Sequence, residues 1–312
     1  MQSTPIEIEQ PIKVSVILCT FNRQAIVRNT VGKLASQTYR NCEFLIIDQT
    51  ATRDLTLENT INELGATFRY IRLPKPNLPA ARNEGIRNSS GDIILFIDDD
   101  VDPDNDLVFL HVRTHRDSSN VGVVTGLCLD VDRPFEDSLE WCRKAFNVPS
   151  VTDGRVFDVT WAMGGNMSYA RSALIHAGLF DENFRGCAIG EDNDASERVA
   201  LKGYRILLDC RIQLKHLHLA TGGCDVRNAN EQDRVQSEHF ELNMYRFLKR
   251  FLMNPSFAST LTLFRLFRQF TISRTLLRKG PRAILRREIE TARILTRVFL
   301  MIYSWHTTSH NS

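Results

Sequence analysis

Five apolar residues, Ile93-Ile94-Leu95-Phe96-Ile97, run directly into Asp98-Asp99-Asp100. A short, unbroken apolar run is the pattern of a strand covered on both faces, which places it inside an α/β sheet. Open sheets of that kind bind ligands beyond the carboxyl ends of their strands. Carboxylates crowded at such an end repel one another unless positive charge sits among them, and a hard divalent cation holding phosphate oxygens meets that need. An acidic turn in water would also explain three aspartates. The surroundings decide between the two.

Upstream, Val14-Ser15-Val16-Ile17-Leu18-Cys19 predicts a first buried strand that ends at Thr20-Phe21-Asn22-Arg23, with a helix over about 25–36. A second strand, Phe44-Leu45-Ile46-Ile47, ends at Asp48 and is followed by a helix over roughly 55–64 and a short strand at Phe68–Ile71. Pro74, Pro76 and Pro79 mark a loop before Ala80-Ala81-Arg82-Asn83. Strands alternating with helices predict a largely parallel sheet with right-handed crossovers, which brings Thr20, Asp48 and Asp98–Asp100 to one edge. Three polar strand ends on one rim make a site.

The second half is less regular. Val121–Gly126 reads as a strand, and Trp161-Ala162-Met163-Gly164-Gly165-Asn166 as a turn with close backbone approach. Gly190-Glu191-Asp192-Asn193-Asp194 precedes a helix that stops at Gly203, and Arg205–Leu208 reads as another strand. Acidic residues favour helix N-termini, so Asp192 or Asp194 can be a cap, but capping does not account for three carboxylates in four positions.

Taken in order, these segments resemble glycosyltransferase family 2, the nucleotide-sugar-dependent inverting enzymes of the GT-A fold. Five motifs over about residues 13–220 carry the resemblance: Val14–Arg23, then Leu45-Ile46-Ile47-Asp48, then Ala81-Arg82-Asn83 with Gly91–Asp100, then Gly164-Gly165-Asn166-Met167 with Phe180-Asp181-Glu182, and Gly190-Glu191-Asp192. Two departures stand out. Gln49-Thr50 replaces an acidic residue and serine common after the second strand, and the Q-x-x-R-W motif of processive synthases is absent, which implies transfer of one sugar at a time.

The resemblance implies an α/β GT-A fold, a mostly parallel central sheet flanked by helices, with roles for named residues. Thr20 and Asp48 would hold the base and ribose of the donor, and Arg82 would face the diphosphate or form a surface ion pair. Asp98 and Asp100 would hold Mn²⁺ or Mg²⁺, Asp98 also reaching the ribose. His216 or His218, after the last predicted strand, is a further candidate ligand, His216 aligning better. Asp192 would be the general base that takes the acceptor proton, with Glu191 orienting it or touching the acceptor, and Gly164, Gly165 and Asn166 would lie on the acceptor side. The acceptor implied is a polysaccharide or lipid-linked glycan precursor. A sugar nucleotidyltransferase is disfavoured, because no glycine-rich, lysine-bearing phosphate loop follows the first strand, and a non-catalytic nucleotide-sugar binder is disfavoured by the intact Asp98, Asp100 and Asp192.

The chain of 312 residues divides by charge. Residues 1–240 hold 26 basic and 34 acidic side chains, whereas residues 241–312 hold 13 and 3, so an acidic body carries a basic tail. The expected organisation is an N-terminal extension over 1–12, a glycosyltransferase domain over 13–240 (nucleotide-binding 13–105, acceptor half 106–240), and a helical tail over 241–312. In the tail, Leu285, Ile289, Ala292, Phe299 and Ile302 share one helical face while Arg282, Arg286, Arg293 and Arg297 share another. That amphipathic pattern suits a membrane surface or packing on the body or on a second subunit; without a recognition module it does not suit nucleic acid. Seven scattered cysteines without a C-x-x-C pair predict reduced thiols, and neither a secretory leader nor a run of about 20 apolar residues is evident. The expected location is cytoplasmic, peripheral on the inner face of the cell membrane.

Overall fold

The computed structural model describes residues 11–217 apart from Arg185, Cys187 and Ile189. The tail over 241–312, His218 and all but two residues of the N-terminal extension therefore lie outside the described residues.

Nine strands form one sheet. Strands β1 (Val14–Thr20), β2 (Cys42–Asp48), β3 (Phe68–Arg72) and β4 (Ile93–Ile97) alternate with helices α1 (Gln24–Leu34), α2 (Leu55–Glu63) and α3 (Leu78–Arg87). They pair in parallel in the order β3-β2-β1-β4. The apolar runs predicted this half, because every residue of β4 and six of seven in β1 and β2 are buried. The loop expected before Ala80 holds Pro74 and Pro76 but ends two residues earlier, at Asn77: Asn77 accepts the Ala80 N–H at 2.9 Å, and Pro79 stands in the first turn of α3, where its missing N–H costs nothing.

Beyond β4 the sheet becomes mixed. Strand β5 (Val101–Pro103) leads to α4 (Leu107–Asp117), β6 (Val121–Asp130), α5 (Phe135–Phe146) and β7 (Val156–Asp158). Then come β8 (Asn166–Ala170), α6 (Arg171–Ala177), α7 (Glu191–Leu201) and β9 (Arg205–His216). Strand β8 inserts antiparallel between β4 and β6, and β9 runs parallel to β6. Both β6 and β9 are longer than their apolar cores suggested, and the extra length of β9 delivers His216 opposite Val101. That pairing of β5 with β9 also ties the two halves of the domain into a single sheet.

Alternation along the strands sends side chains to two layers. Val14, Val16 and Leu18 face α1, α2 and α4; Ile17, Leu45 and Ile47 face α3, α6 and α7. A third cluster packs α5 under β6 and β9. No helix among the described residues is long and apolar enough to cross a membrane. The described free cysteines are buried or half-buried. Phe96, 1% exposed, meets Phe180 edge-on at 5.2 Å and Tyr169 at 6.1 Å, joining β4, β8 and the loop after α6. Replacing it with alanine removes this junction, and Phe96→Ala is expected to lose about 3–5 kcal/mol in urea unfolding.

Candidate active site

The parallel strands end together on one rim. Thr20 stands beside Asp48 in the β1–β2 register, and Asp98 follows the last residue of the neighbouring β4. The aspartate triplet is not an acidic turn in water, because Asp99 and Asp100 are 5% and 1% exposed.

Asp99 is the hub on this side. Its carboxylate accepts the Thr20 hydroxyl at 2.7 Å and Arg23 Nη1 at 2.9 Å, while its carbonyl accepts the Thr30 hydroxyl at 2.7 Å. The same Arg23 nitrogen lies 3.1 Å from Asp100 Oδ2. Burial pushes the Asp99 carboxyl up to about 6, with Thr20 and Arg23 opposing the rise. Asp100 turns its other oxygen toward His216, whose Nε2 is 3.3 Å away and 3.6 Å from Asp98 Oδ2. Burial would lower the His216 imidazole, but the Asp98 hydrogen bond and the two carboxylate charges hold it above its ordinary value. Desolvation likewise raises Asp98, and His216, Arg82 and Arg23 together outweigh it, leaving the carboxyl low.

Asp98, Asp100 and His216 offer three ligand atoms that all lie within 4.8 Å of one another. Two hard carboxylate oxygens and an imidazole suit a small divalent ion such as Mn²⁺ or Mg²⁺, so the donor set fits the expected cofactor. His216, the better aligned of the two histidines considered, stands beside both aspartates.

The neighbouring strand end is organised by side chains that sequence reasoning passed over. Asp48 is fully buried and accepts the Tyr70 hydroxyl at 2.5 Å and the Thr50 N–H at 2.8 Å. Gln49 and Thr50 have structural work here: Gln49 Oε1 accepts Asn77 N at the start of α3, and Thr50 Oγ1 accepts Asn22 N in the loop after β1. They fasten both flanking loops to the end of β2. Tyr70 was hidden in a half-buried strand, and Arg23 in a turn motif, with no spacing to mark either.

Across the rim, Arg82 and Glu191 form a buried ion pair, their side chains 4% and 5% exposed. The surface ion pair considered for Arg82 is therefore corrected. Its guanidinium also donates to Gly164 O at 3.2 Å and lies over the Phe96 and Phe180 rings, a setting too apolar for a solvated charge. Asp192 is not a helix cap: Gly190, at φ 90°, occupies the cap position, and Asp194 pairs with Arg198 at 3.0 Å. Asp192 instead accepts Gly164 N at 3.0 Å and Asn193 N at 2.8 Å. Burial raises the Asp192 carboxyl, with Arg82 and the two amides opposing. Burial, helped by the Asp192 charge, pushes the Glu191 carboxyl up, and the Arg82 guanidinium pulls it back down.

The glycine pair separates the two groups of carboxylates. A Cβ on Gly165 would stand 2.6 Å from Asp98 Oδ2, and one on Gly164 would stand 3.1 Å from both Arg82 Nη2 and Asp192 Oδ2. A side chain at either position would push these charged groups aside. Asn166, expected with them on the acceptor side, is fully buried, and its side chain bonds His111 and Leu127 O. The pleat explains the correction, since successive residues point to opposite faces.

The model of the family described as "Glycosyl transferase family 2" matches residues 15–175, just over half of the chain. The chain belongs to glycosyl transferase family 2. Among curated members, a GalNAc(5)-diNAcBac-PP-undecaprenol beta-1,3-glucosyltransferase from Campylobacter jejuni is 24% identical over 179 residues, covering 56% of each protein. The chain spans 56% of that relative's length and a smaller share of others it matches. Among solved structures, Staphylococcus aureus TarS 1-349 in complex with UDP-GlcNAc aligns with a TM-score of 0.64 at 17% identity, over 92% of this chain and 80% of that one. The mannosyltransferase PcManGT from Pyrobaculum calidifontis, in complex with GDP-Man and Mn²⁺, aligns with a TM-score of 0.58 at 15% identity, over 99% and 84%. These likenesses show the GT-A fold of this family 2 chain.

The Arg82–Glu191 pair gives a direct stability test. Arg82→Met leaves a carboxylate buried alone and is expected to cost about 3–5 kcal/mol in chemical denaturation, whereas adding Glu191→Leu should recover most of it.

Proposed function

We propose that this chain is an inverting glycosyltransferase that moves one sugar from a nucleotide-sugar donor to an acceptor hydroxyl, with a divalent cation at Asp98, Asp100 and His216 and Asp192 as general base. The observation that carries the reading is the juxtaposition, on one rim, of a three-ligand cation group and the half-buried Asp192 carboxylate on opposite sides of the Gly164–Gly165 turn.

Thr20 and Asp48 border the donor side, where Asp48 is held by Tyr70 for contact with the base or ribose, and Asp98 lies within reach of both ribose and cation. When bound, Mn²⁺ or Mg²⁺ offsets the charge that grows on the leaving diphosphate. Asp192 accepts the proton of the acceptor hydroxyl while the acceptor oxygen bonds to the anomeric carbon and the bond to the diphosphate breaks. Its two backbone amide contacts hold the carboxylate in place. Arg82 fixes Glu191, and Glu191 in turn fixes the first turn of α7 that carries Asp192. The Campylobacter jejuni relative, named for a PP-undecaprenol substrate, supports a lipid-linked glycan acceptor. On that reading the basic segment 241–312 brings the site to the inner face of the membrane.

A screen of UDP-, GDP- and dTDP-sugars for donor hydrolysis and thermal stabilisation, with Mn²⁺, Mg²⁺ or chelator, tests the donor site. One nucleotide class should stabilise the protein in a manner that needs both metal and Asp100, and Asp100→Ala should abolish the effect. Stabilisation without hydrolysis or transfer would favour a non-catalytic nucleotide-sugar binder, and no response to any donor would overturn the donor site.

Asp192→Asn should fold normally and lose nearly all transfer; a variant that kept most activity would sink the base assignment. The pH profile has a definite sign. A base works ionised, and burial raises the Asp192 carboxyl, so kcat should fall with decreasing pH, starting higher than for an exposed aspartate of pKa about 3.9.

A further inference from the structure

Behind the glycine pair lies a buried polar network that the chemistry above does not use. Met163, Gly164, Gly165 and Asn166 form a tight turn, closed by Asn166 N donating to Met163 O at 3.0 Å. Thr125 of β6, fully buried, closes it a second time: its hydroxyl accepts Met163 N at 3.0 Å and donates to Asn166 O at 3.1 Å. The turn is thus fastened at both ends by one oxygen.

Asn166 anchors the same turn from behind, and its orientation is determined. The side-chain nitrogen donates to Leu127 O at 3.1 Å, so the amide oxygen is the acceptor for His111 Nε2 at 3.0 Å. With its proton on Nε2, a neutral His111 accepts the Ser168 hydroxyl through Nδ1 at 2.9 Å. Ser168 Oγ then accepts from His115 Nε2 at 2.9 Å. The protons run in one direction, from His115 through Ser168, His111 and Asn166 to the Leu127 carbonyl. Both rings stay neutral, since burial pushes His111 down to about 4 and His115 down to about 3.

The front of the turn faces the chemistry. Gly164 N donates to Asp192 Oδ2, and Gly165 presses on Asp98. We propose that Thr125 and Asn166 are positioning residues for the general base, holding the Met163–Asn166 turn so that the Gly164 N–H stays on Asp192. The inference rests on the assignment of Asp192 as base. The charged and titratable groups around that carboxylate are Arg82 from α3, Cys128 from β6, Tyr169 from β8 and Glu191 beside it, and none of them belongs to the turn. Loosening the turn withdraws the Gly164 N–H from the ionised carboxylate, while Arg82, which also donates to Gly164 O at 3.2 Å, keeps its ion pair with Glu191. Loss of that amide donor moves the Asp192 carboxyl toward tighter proton binding.

The experiment compares the pH dependence of sugar transfer for the full-length chain and for Thr125→Val and Thr125→Ser. Thr125→Val keeps the shape and removes the hydroxyl. Its kcat should drop about tenfold or more, with donor KM unchanged. The acid limb should move up by about one pH unit, the size expected for one lost hydrogen bond to a carboxylate. Thr125→Ser restores the hydroxyl and should restore the limb. A Thr125→Val protein with a wild-type profile, or one with reduced kcat and an unmoved acid limb, would overturn the proposal. If Thr125→Val does not fold, Asn166→Ala carries the same test from the other anchor, an upward shift supporting the proposal and an unmoved limb overturning it. Retained activity in Asp192→Asn would instead remove the base assignment, and this inference with it.

Discussion

Buried negative charge is the constraint on which this structure turns. Asp99, Asp100 and Glu191 are each at most 5% exposed, and Asp98 and Asp192 stand beside them on the same rim. Carboxylates cannot be brought this close together out of water without compensation. The protein provides it locally: Arg23 faces Asp99 and Asp100, Arg82 faces Glu191, and His216 stands between Asp98 and Asp100. Each cation arrives from a different element: the loop after β1, helix α3 and the end of β9. The rim is therefore a point where distant parts of the sequence are electrostatically obliged to meet.

Compensation is also distributed unequally, and the inequality has chemical meaning. Asp99 and Glu191 receive guanidinium groups directly, and both are thereby committed to structure. Asp192 is gripped by two backbone amides, which fix its direction, while the Arg82 charge and these amides oppose the rise that burial causes. Asp98 and Asp100 share an imidazole, which a metal ion can also use as a ligand, and Asp100 also meets Arg23.

The parallel half of this arrangement was legible in the chain itself. Apolar runs at Val16–Cys19, Phe44–Ile47 and Ile93–Ile97 fit strands buried on both faces, and their polar ends then share a rim. The mixed half was legible only in part: Val121–Gly126 and Arg205–Leu208 read as strands, but their full lengths and β8 were not evident. Strands β8 and β9 carry polar residues such as Ser168, Asp209 and Arg211, the first two fully buried against partners from α4, so no unbroken apolar run marks their ends. The same limit applied within the site. Asp98, Asp100, His216 and Asp192 carry chemistry in their residue type, whereas Arg23, Tyr70 and Thr125 matter only through what they touch. Asn166 was placed beside the correct turn but assigned to the wrong face, because a pleat inverts the direction of a side chain at every residue while a motif records only its position.

The glycine turn carries the argument for stereochemistry. A single displacement that inverts the anomeric carbon requires the nucleophile to arrive on the face opposite the departing diphosphate. Gly165 lies against Asp98, on the side where the leaving group would be held, and Gly164 lies against Asp192, on the side where a proton would be taken. The turn separates the cation group from the base by the width of two residues without side chains. On the proposed reading the acceptor oxygen would lie between the sugar and Asp192, which the Gly164 and Asn193 amides hold in place, and one direct displacement would invert the anomeric carbon.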